Sequence, residues 1–300
     1  MKLLTTELMT VQSINQGGFS LSVVIATLGG DTLSGTIEQL NRGTVVPTEI
    51  LICIPEQESS RVENLAFSNV KIIRTVCRGQ VAQRAFGFQL ARYEFVLQLD
   101  DDLLVDTHCV EKLLNTLVAH GGRVAAAPAL LKADTGLSCY HEPGSRTLLR
   151  IYYWIVNGIR GYEPGIITEA GTCIGVDPAL TQKDIIEVEW VPGGCVMHHR
   201  NNLIFDNYYP FKGKAYCEDL FHSYFLSQKG IKLFVSTAAR CYIVDAATSQ
   251  SSVSGNLDVM RADCKVRKYF VRLSDKSIVR MYFHYVVLFL WNLRNRLKQS

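Results

Sequence analysis

This 300-residue sequence predicts an α/β fold built on a doubly wound, mostly parallel sheet, and three observations carry the prediction. Short β-branched apolar runs alternate with helical periodicity from Leu21 to Ala127, the rhythm of strand–helix–strand units. Phe95, Val96, Leu97 and Leu99 form a nearly unbroken apolar run, as expected of a strand buried on both faces. Polar clusters recur where strands would end: Thr27 to Asp31, Pro55 to Glu58, and Asp100 to Asp102. Ligands of such sheets sit beyond the carboxyl ends of the strands, so the three clusters should share one cleft.

The elements follow in order. Strands are expected at Leu21–Thr27, Glu49–Ile54, Val70–Arg74, Phe95–Leu99 and Arg123–Ala127. Helices are expected between them at Asp31–Asn41, Ser59–Phe67, Gly79–Arg92 and Thr107–His120. In the third helix Val81, Ala85, Phe88 and Ala91 recur at helical spacing and should face the sheet, leaving Arg84 and Gln89 elsewhere on the surface. From Pro128 to Trp190 the rhythm is lost in a stretch rich in Gly, Pro and aromatics, which reads as functional loops or a lid. Order returns with strands at Glu187–Val191 and Cys195–His198, a helix at Glu218–Lys229, and strands at Lys232–Val235 and Cys241–Val244. The remainder, from Leu257, reads as two basic helices.

Composition narrows the class. With 48% hydrophobic and 20% charged residues the chain can bury a sizeable core, and a net charge of +3 is too small to argue for a nucleic-acid partner. Nine cysteines lie scattered with no C-x-x-C pair, which suits a reducing compartment. Met1 to Gly18 lacks a continuous apolar core, so no secretory leader is expected, and Met281 to Trp291 is too short to span a bilayer. A cytoplasmic protein is the expectation.

Asp100, Asp101 and Asp102 carry the most chemical information. Three adjacent carboxylates repel one another, and a hard divalent cation such as Mn2+ or Mg2+ relieves that cost. An acidic turn capping the next helix is the competing reading. Glu218 and Asp219 open a helix, where acidic residues offset the helix dipole; they also suit a general base aimed into the cleft. Gly193 and Gly194 form either a plain turn or a place where backbone approaches a ligand closely. His198 and His199 are adjacent on a strand, point to opposite faces, and are not expected to share an ion.

Taken together the sequence resembles the family-two glycosyltransferases, inverting enzymes of the GT-A fold. Leu21 to Thr27 looks like that family's first strand, Arg78 to Gly87 like its third helix, and Phe95 to Asp102 like its apolar strand and D-x-D motif. Trp190 to Gly194, Phe205-Asp206 and Glu218-Asp219 match its later landmarks in order. The resemblance covers about Leu21 to Val244. Two departures stand out: Glu56 falls where the family usually has an Asp that contacts the base, and Ala85 replaces an Asn common after the helix Arg. A Q-x-x-R-W motif, which marks processive synthases, does not follow the Glu-Asp helix, so transfer of a single sugar is implied.

The resemblance implies a nucleotide-diphosphate sugar donor, a saccharide or lipid-linked acceptor and a divalent cation. Asp102 would bind the metal with support from Asp100. Thr27, Glu56, Arg84, Asp100 and Asp101 would line the donor side. Gly193, Gly194 and Glu218 would line the acceptor and sugar pocket, and Asp219 would be the base. It divides the chain into an N-terminal extension (1–18), a GT-A domain (19–250) and a basic, aromatic helical tail (251–300). Within the domain, 19–127 would be the nucleotide-sugar half and 128–250 the acceptor half, in an enzyme of cell-surface polysaccharide or glycolipid synthesis. A sugar-phosphate nucleotidyltransferase and a catalytically silent sugar-nucleotide-binding protein are the alternatives; the first usually carries a basic Gly-rich loop after its first strand, unlike Leu28 to Asp31. The cations Arg261, Lys265, Arg267, Lys268 and Arg272 read as a solvated helix face, with a diphosphate clamp as the competing reading. The aromatic, cation-flanked segment after Ser277 reads either as a helix docked on the core or as one lying on the inner face of the plasma membrane.

Overall fold

Four apolar runs become four adjacent parallel strands: β1 (Leu21–Ala26), β2 (Glu49–Pro55), β3 (Val70–Thr75) and β4 (Phe95–Leu99). β1 lies between β2 and β4, and β3 pairs outside β2. The computed structural model describes residues 19–140, 146–244 and 257–297. Alternate strand residues enter two cores, as the pleat requires. Val23, Ile25, Ile50, Ile52 and Leu97 pack with α1 (Leu33–Asn41) and, further along the sheet, α3 (Cys109–His120). Val24, Leu51, Cys53 and Val96 face the other way, against Phe88 of α2 (Gln80–Leu90). Burying one such large apolar side chain contributes about 1.5–3 kcal/mol. Gly87 lets α2 approach, since a Cβ there would lie 2.5 Å from Val24 Cγ1 and 2.6 Å from Cys53 Sγ.

The second half extends the same sheet. β8 (Cys195–His199) inserts antiparallel between β4 and β6 (Val124–Lys132). Because β8 runs backwards, its first residues lie at the carboxyl edge of β4, where Leu99 pairs with Cys195. β9 (Lys232–Ile243) runs parallel to β6, and it pairs antiparallel with β5 (Leu103–Val105) at one end and β7 (Ile185–Val188) at the other. Six of the nine strands therefore run in one direction, with β5, β7 and β8 reversed.

Several elements differ from their expected form. The helix expected at Ser59–Phe67 is a 3-10 turn at Glu56–Val62, where Ser59 Oγ donates to the Glu56 carbonyl at 2.8 Å and so competes with helical bonding. The strand expected to stop at Ala127 continues through Pro128 to Lys132. Pro128 has no N–H, and the register shifts immediately after it: Pro128 lies opposite Ser236 and Ala129 opposite Arg240. That shift joins two expected strands into the single β9. β7 starts earlier than expected and ends at Val188. The irregular stretch holds a helix, α4 (Arg146–Asn157), seated on the protein through Tyr153 and Val156.

After α5 (Glu218–Gln228) and β9 come the two tail helices, α6 (Leu257–Leu273) and α7 (Ile278–Leu297). Phe270 and Val266 of α6 join a core with Trp190, Leu220 and Phe221, behind the start of α5. The solvated face expected of the basic tail is thus corrected at Arg267, whose side chain is only 12% exposed. Residues 1–18, expected as an N-terminal extension, lie outside the described residues. Among those described, no helix is long and apolar enough to cross a membrane.

Candidate active site

The ends of β1, β2 and β4 are tied side by side. Thr27 donates its backbone N–H to the Cys53 carbonyl at 3.1 Å and its hydroxyl to Asp101 Oδ2. The buried Gln83 amide on α2 donates to both the Thr27 and Cys53 carbonyls, at 2.9 and 2.7 Å. Glu56 follows β2 directly and is exposed, while Asp102, also exposed, follows β4. Thr27, Glu56 and the Asp triplet therefore share the carboxyl edge of the parallel strands.

Arg84 joins this edge to the start of α5. Its side chain is 3% exposed, and its two Nη groups donate at 2.5 Å to Asp100 Oδ1 and at 2.5 Å to Glu218 Oε1. Gln80 adds a second donor to Asp100 Oδ1 at 3.0 Å, and the Tyr208 hydroxyl donates to Glu218 Oε2 at 3.3 Å. Burial together with repulsion from Glu218 and Asp102 outweighs Arg84 and pushes the Asp100 carboxyl up to about 6. Two carboxylates on one guanidinium leave net negative charge at the edge.

Gly193 and Gly194 bring backbone against these carboxylates. A Cβ on Gly193 would lie 2.5 Å from Glu218 Oε1, and one on Gly194 would lie 3.2 Å from Asp100 Oδ2. The Asp100 N–H donates to the Gly194 carbonyl at 2.7 Å, and the Gln98 side chain donates to the Gly193 carbonyl. Here the glycine pair is required by close approach. Asp219 stands next in the helix and is partly exposed. Burial and the neighbouring Glu218 push its carboxyl up to about 7, against the Leu220 N–H and Arg267. A carboxyl with this value gains and loses its proton near neutrality, the range that suits general acid–base chemistry.

The start of α5 is anchored from the tail. Cys217 has φ 54°, a left-handed conformation costing a non-glycine residue roughly 1–2 kcal/mol. Its thiol donates to Asp263 Oδ1 at 2.9 Å and accepts from Arg267 Nη2 at 3.1 Å. Arg267 also donates to the Gly171 carbonyl at 2.6 Å and pairs with Asp263 at 3.1 Å, while the Tyr285 hydroxyl on α7 donates to Asp263. Burial raises the Asp263 carboxyl, but Arg267 and the thiol and hydroxyl donors more than offset this and hold it below its usual range. Sequence reasoning passed over Asp263, Gln80, Gln83 and Tyr208, and read Arg267 as a solvated cation. Only the Asp263–Arg267 spacing of four on a helix gave a local signal.

His198 and His222 are buried with rings 5.3 Å apart, and burial depresses both pKa values, His222 to about 3. Both rings stay neutral beside Arg84. Among the described residues no three His, Cys, Asp or Glu side chains converge as a ready-made metal cage. Asp100 and Asp102 form a two-carboxylate set, which fits a hard cation that takes its other ligands from water and phosphate oxygens.

Comparison with known proteins bears on the family and the fold. The model of glycosyl transferase family 2 matches residues 22–174, from β1 to beyond α4. Among solved structures, the crystal structure of GalNAc-T7 with UDP, GalNAc and Mn2+ is similar at 18% identity and a TM-score of 0.55, over 75% of this chain and 43% of that one. S. aureus TarS 1-349 is similar at 14% identity and a TM-score of 0.47, over 82% of this chain and 64% of that one. The chain thus spans less than two thirds of either protein, and the likeness to the first is one of fold, the GT-A fold. No curated protein matches. With just over half of its length matched by the family model, the chain belongs to glycosyl transferase family 2.

Proposed function

We propose that this protein transfers a single sugar from a nucleotide-diphosphate sugar to an acceptor hydroxyl, with inversion at the anomeric carbon and with Asp219 as the base. The observation that carries the reading is the Asp219 carboxyl, pushed up to about 7 and set one residue from the Arg84-bridged pair Asp100 and Glu218. Deprotonated Asp219 takes the acceptor proton as the hydroxyl attacks opposite the leaving diphosphate. A positioned base contributes on the order of 10²–10⁴-fold. Thr27, Glu56 and Asp101 line the nucleoside side, and Gly193, Gly194 and Glu218 the sugar side. Arg84 acts from behind, fixing Asp100 and Glu218 relative to one another.

Mn2+ or Mg2+, held by Asp102 and Asp100, would neutralise charge on the donor diphosphate. The presence of UDP, GalNAc and Mn2+ in the similar GalNAc-T7 structure supports the choice of donor class and ion. Residues 19–127 form the nucleotide-sugar half and 128–250 the acceptor half, and the tail from 251 carries α7 toward a membrane. The work of the enzyme belongs to cell-surface polysaccharide or glycolipid synthesis, in the cytoplasm and peripherally on the inner face of the plasma membrane.

The test is release of nucleoside diphosphate from a panel of uridine, guanosine and thymidine diphosphate sugars with Mn2+. We expect turnover of at least one donor, loss on chelation, and loss in Asp219→Asn with donor binding retained. Binding without turnover under all conditions would overturn the assignment in favour of a silent binding protein.

A further inference from the structure

α4 and α7 lie together as one layer. Arg280 of α7 donates to the Trp154 and Ile155 carbonyls near the end of α4, at 3.0 and 2.6 Å. The Tyr152 hydroxyl and His284 Nδ1 are 2.8 Å apart. The inner face of α7 is buried through Met281, His284 and Tyr285. Its outer face would normally be polar. Instead Val279, Phe283, Val286, Leu290 and Leu293 stand at helical spacing, each between 46% and 61% exposed. α4 adds Leu148, Ile151 and Trp154 at three-residue steps, 66%, 51% and 61% exposed. Isolated exposed apolar residues need no partner, but two contiguous helical rows of them do.

The charge carried by these two helices themselves has one sign. Residues 146–162 and 276–300 contain no Asp or Glu, yet both carry arginines, of which Arg150 and Arg294 are exposed. We infer that α4 and α7 together form one docking face for an anionic lipid bilayer, α4 supplying a limb beside α7. The inference rests on the membrane contact proposed above for the tail and extends it to a helix of the acceptor half. A helix with an apolar face and cationic edges lies in the plane of the headgroups, its apolar side sunk into the acyl boundary. Anionic headgroups complement two helices that carry arginines and no acidic residue. A second copy of this chain does not, because it would bring the same sign of charge to the same patch.

The full chain should co-sediment with vesicles of phosphatidylglycerol and phosphatidylcholine, and weakly with phosphatidylcholine alone. Ile151→Glu and Trp154→Glu on α4, like Phe283→Glu on α7, should each weaken that partition by about tenfold or more, since each puts an anion on the buried side of an interfacial helix. These positions are exposed, and unchanged melting monitored by circular dichroism verifies the fold; Ile151→Ser serves where a glutamate variant melts early. If the α4 variants partition like the wild type while Phe283→Glu does not, α4 is no limb of the face and the tail contact alone stands. If the wild type does not sediment with either vesicle, the membrane contact itself falls. A lipid-free dimer in light scattering that Ile151→Glu and Phe283→Glu both dissolve would give the face to a second copy instead.

Discussion

At the scale of single residues the site turns on Arg84, a buried cation between two carboxylates. Removing one member of a buried ion pair costs more than the pair was worth, because the remaining charge stays buried alone. Arg84→Met should therefore destabilise by about 3–5 kcal/mol, read as a fall in the denaturant midpoint. A near-neutral Arg84→Met would mean that water already reaches Asp100 and Glu218. Asp219 gives a second test. Its folded value of about 7 lies above the ordinary carboxyl value, so its contribution to stability is full at low pH. That contribution is lost progressively as pH rises from about 4, the unfolded value, through about 7. Asp219→Asn, which does not ionise, should gain melting temperature over the wild type at high pH and not at low pH. A constant gap across the range would mean that the carboxyl titrates normally. In catalysis the same variant should lose about 10²-fold or more in kcat with donor binding retained. Asp100, Asp102, Gly193, Gly194 and Asp219 could all be read from motif order. The Arg84 bridge could not, since its two partners are 16 and 134 residues away and leave no local pattern.

At the scale of elements, α5 is aimed from both ends of the chain: Arg84 on α2 holds Glu218, and Asp263 and Arg267 on α6 hold the left-handed turn at Cys217. The groups facing Asp219 are Glu218 beside it, the Arg267 guanidinium, and the neutral hydroxyls and thiols of Tyr140, Tyr208, Cys173 and Cys217. Arg267 is the cation among them that lowers the Asp219 value, so its removal raises it. Arg267→Met should move the acid limb of the kcat/KM profile to higher pH, while Arg267→Lys, which keeps the charge, should leave it in place. Identical limbs in all three proteins would restrict Arg267 to holding the turn. The element reading of the sequence succeeded where burial is two-sided: β1 and β2 are buried at every residue and, apart from Ser22 and Glu49, read as apolar runs. It failed at α4, where Ile151, Tyr152, Tyr153, Trp154, Ile155 and Val156 are β-branched or aromatic. Their intrinsic preference argues against a helix, and packing of Tyr153 and Val156 decides the matter. It failed again at Pro128, because a proline inside a strand argues for an end, while a register shift lets the ladder continue.

At the scale of the whole molecule, the sequence divides at the end of β9 into a domain and a tail, but the contacts do not respect that division. Arg267 reaches the Gly171 carbonyl, Lys276 reaches the Ile167 carbonyl at 3.0 Å, and Tyr285 bonds Asp263 behind the Cys217 turn. Phe270 packs against Phe221 with ring centroids 5.2 Å apart, so α6 completes the core on which α5 rests. Elements that share a buried core and buried polar bonds unfold together, whereas a separately folded unit gives its own transition. The three tryptophans report on this directly: Trp190 is buried beside the site, while Trp154 and Trp291 stand exposed on α4 and α7. Thermal melting followed by far-ultraviolet circular dichroism, and by the fluorescence of a Trp154→Phe/Trp291→Phe protein in which Trp190 alone reports, should give one coincident transition. A helical loss that precedes the Trp190 change would make the tail an independent unit. In the coincident case, removing the residues after Ser277 should lower the melting temperature of Trp190 as well, because Met281 and Tyr285 leave the buried layer against Val271. A truncated protein that melts at the wild-type temperature would show that α7 serves the surface alone and lends the site no support.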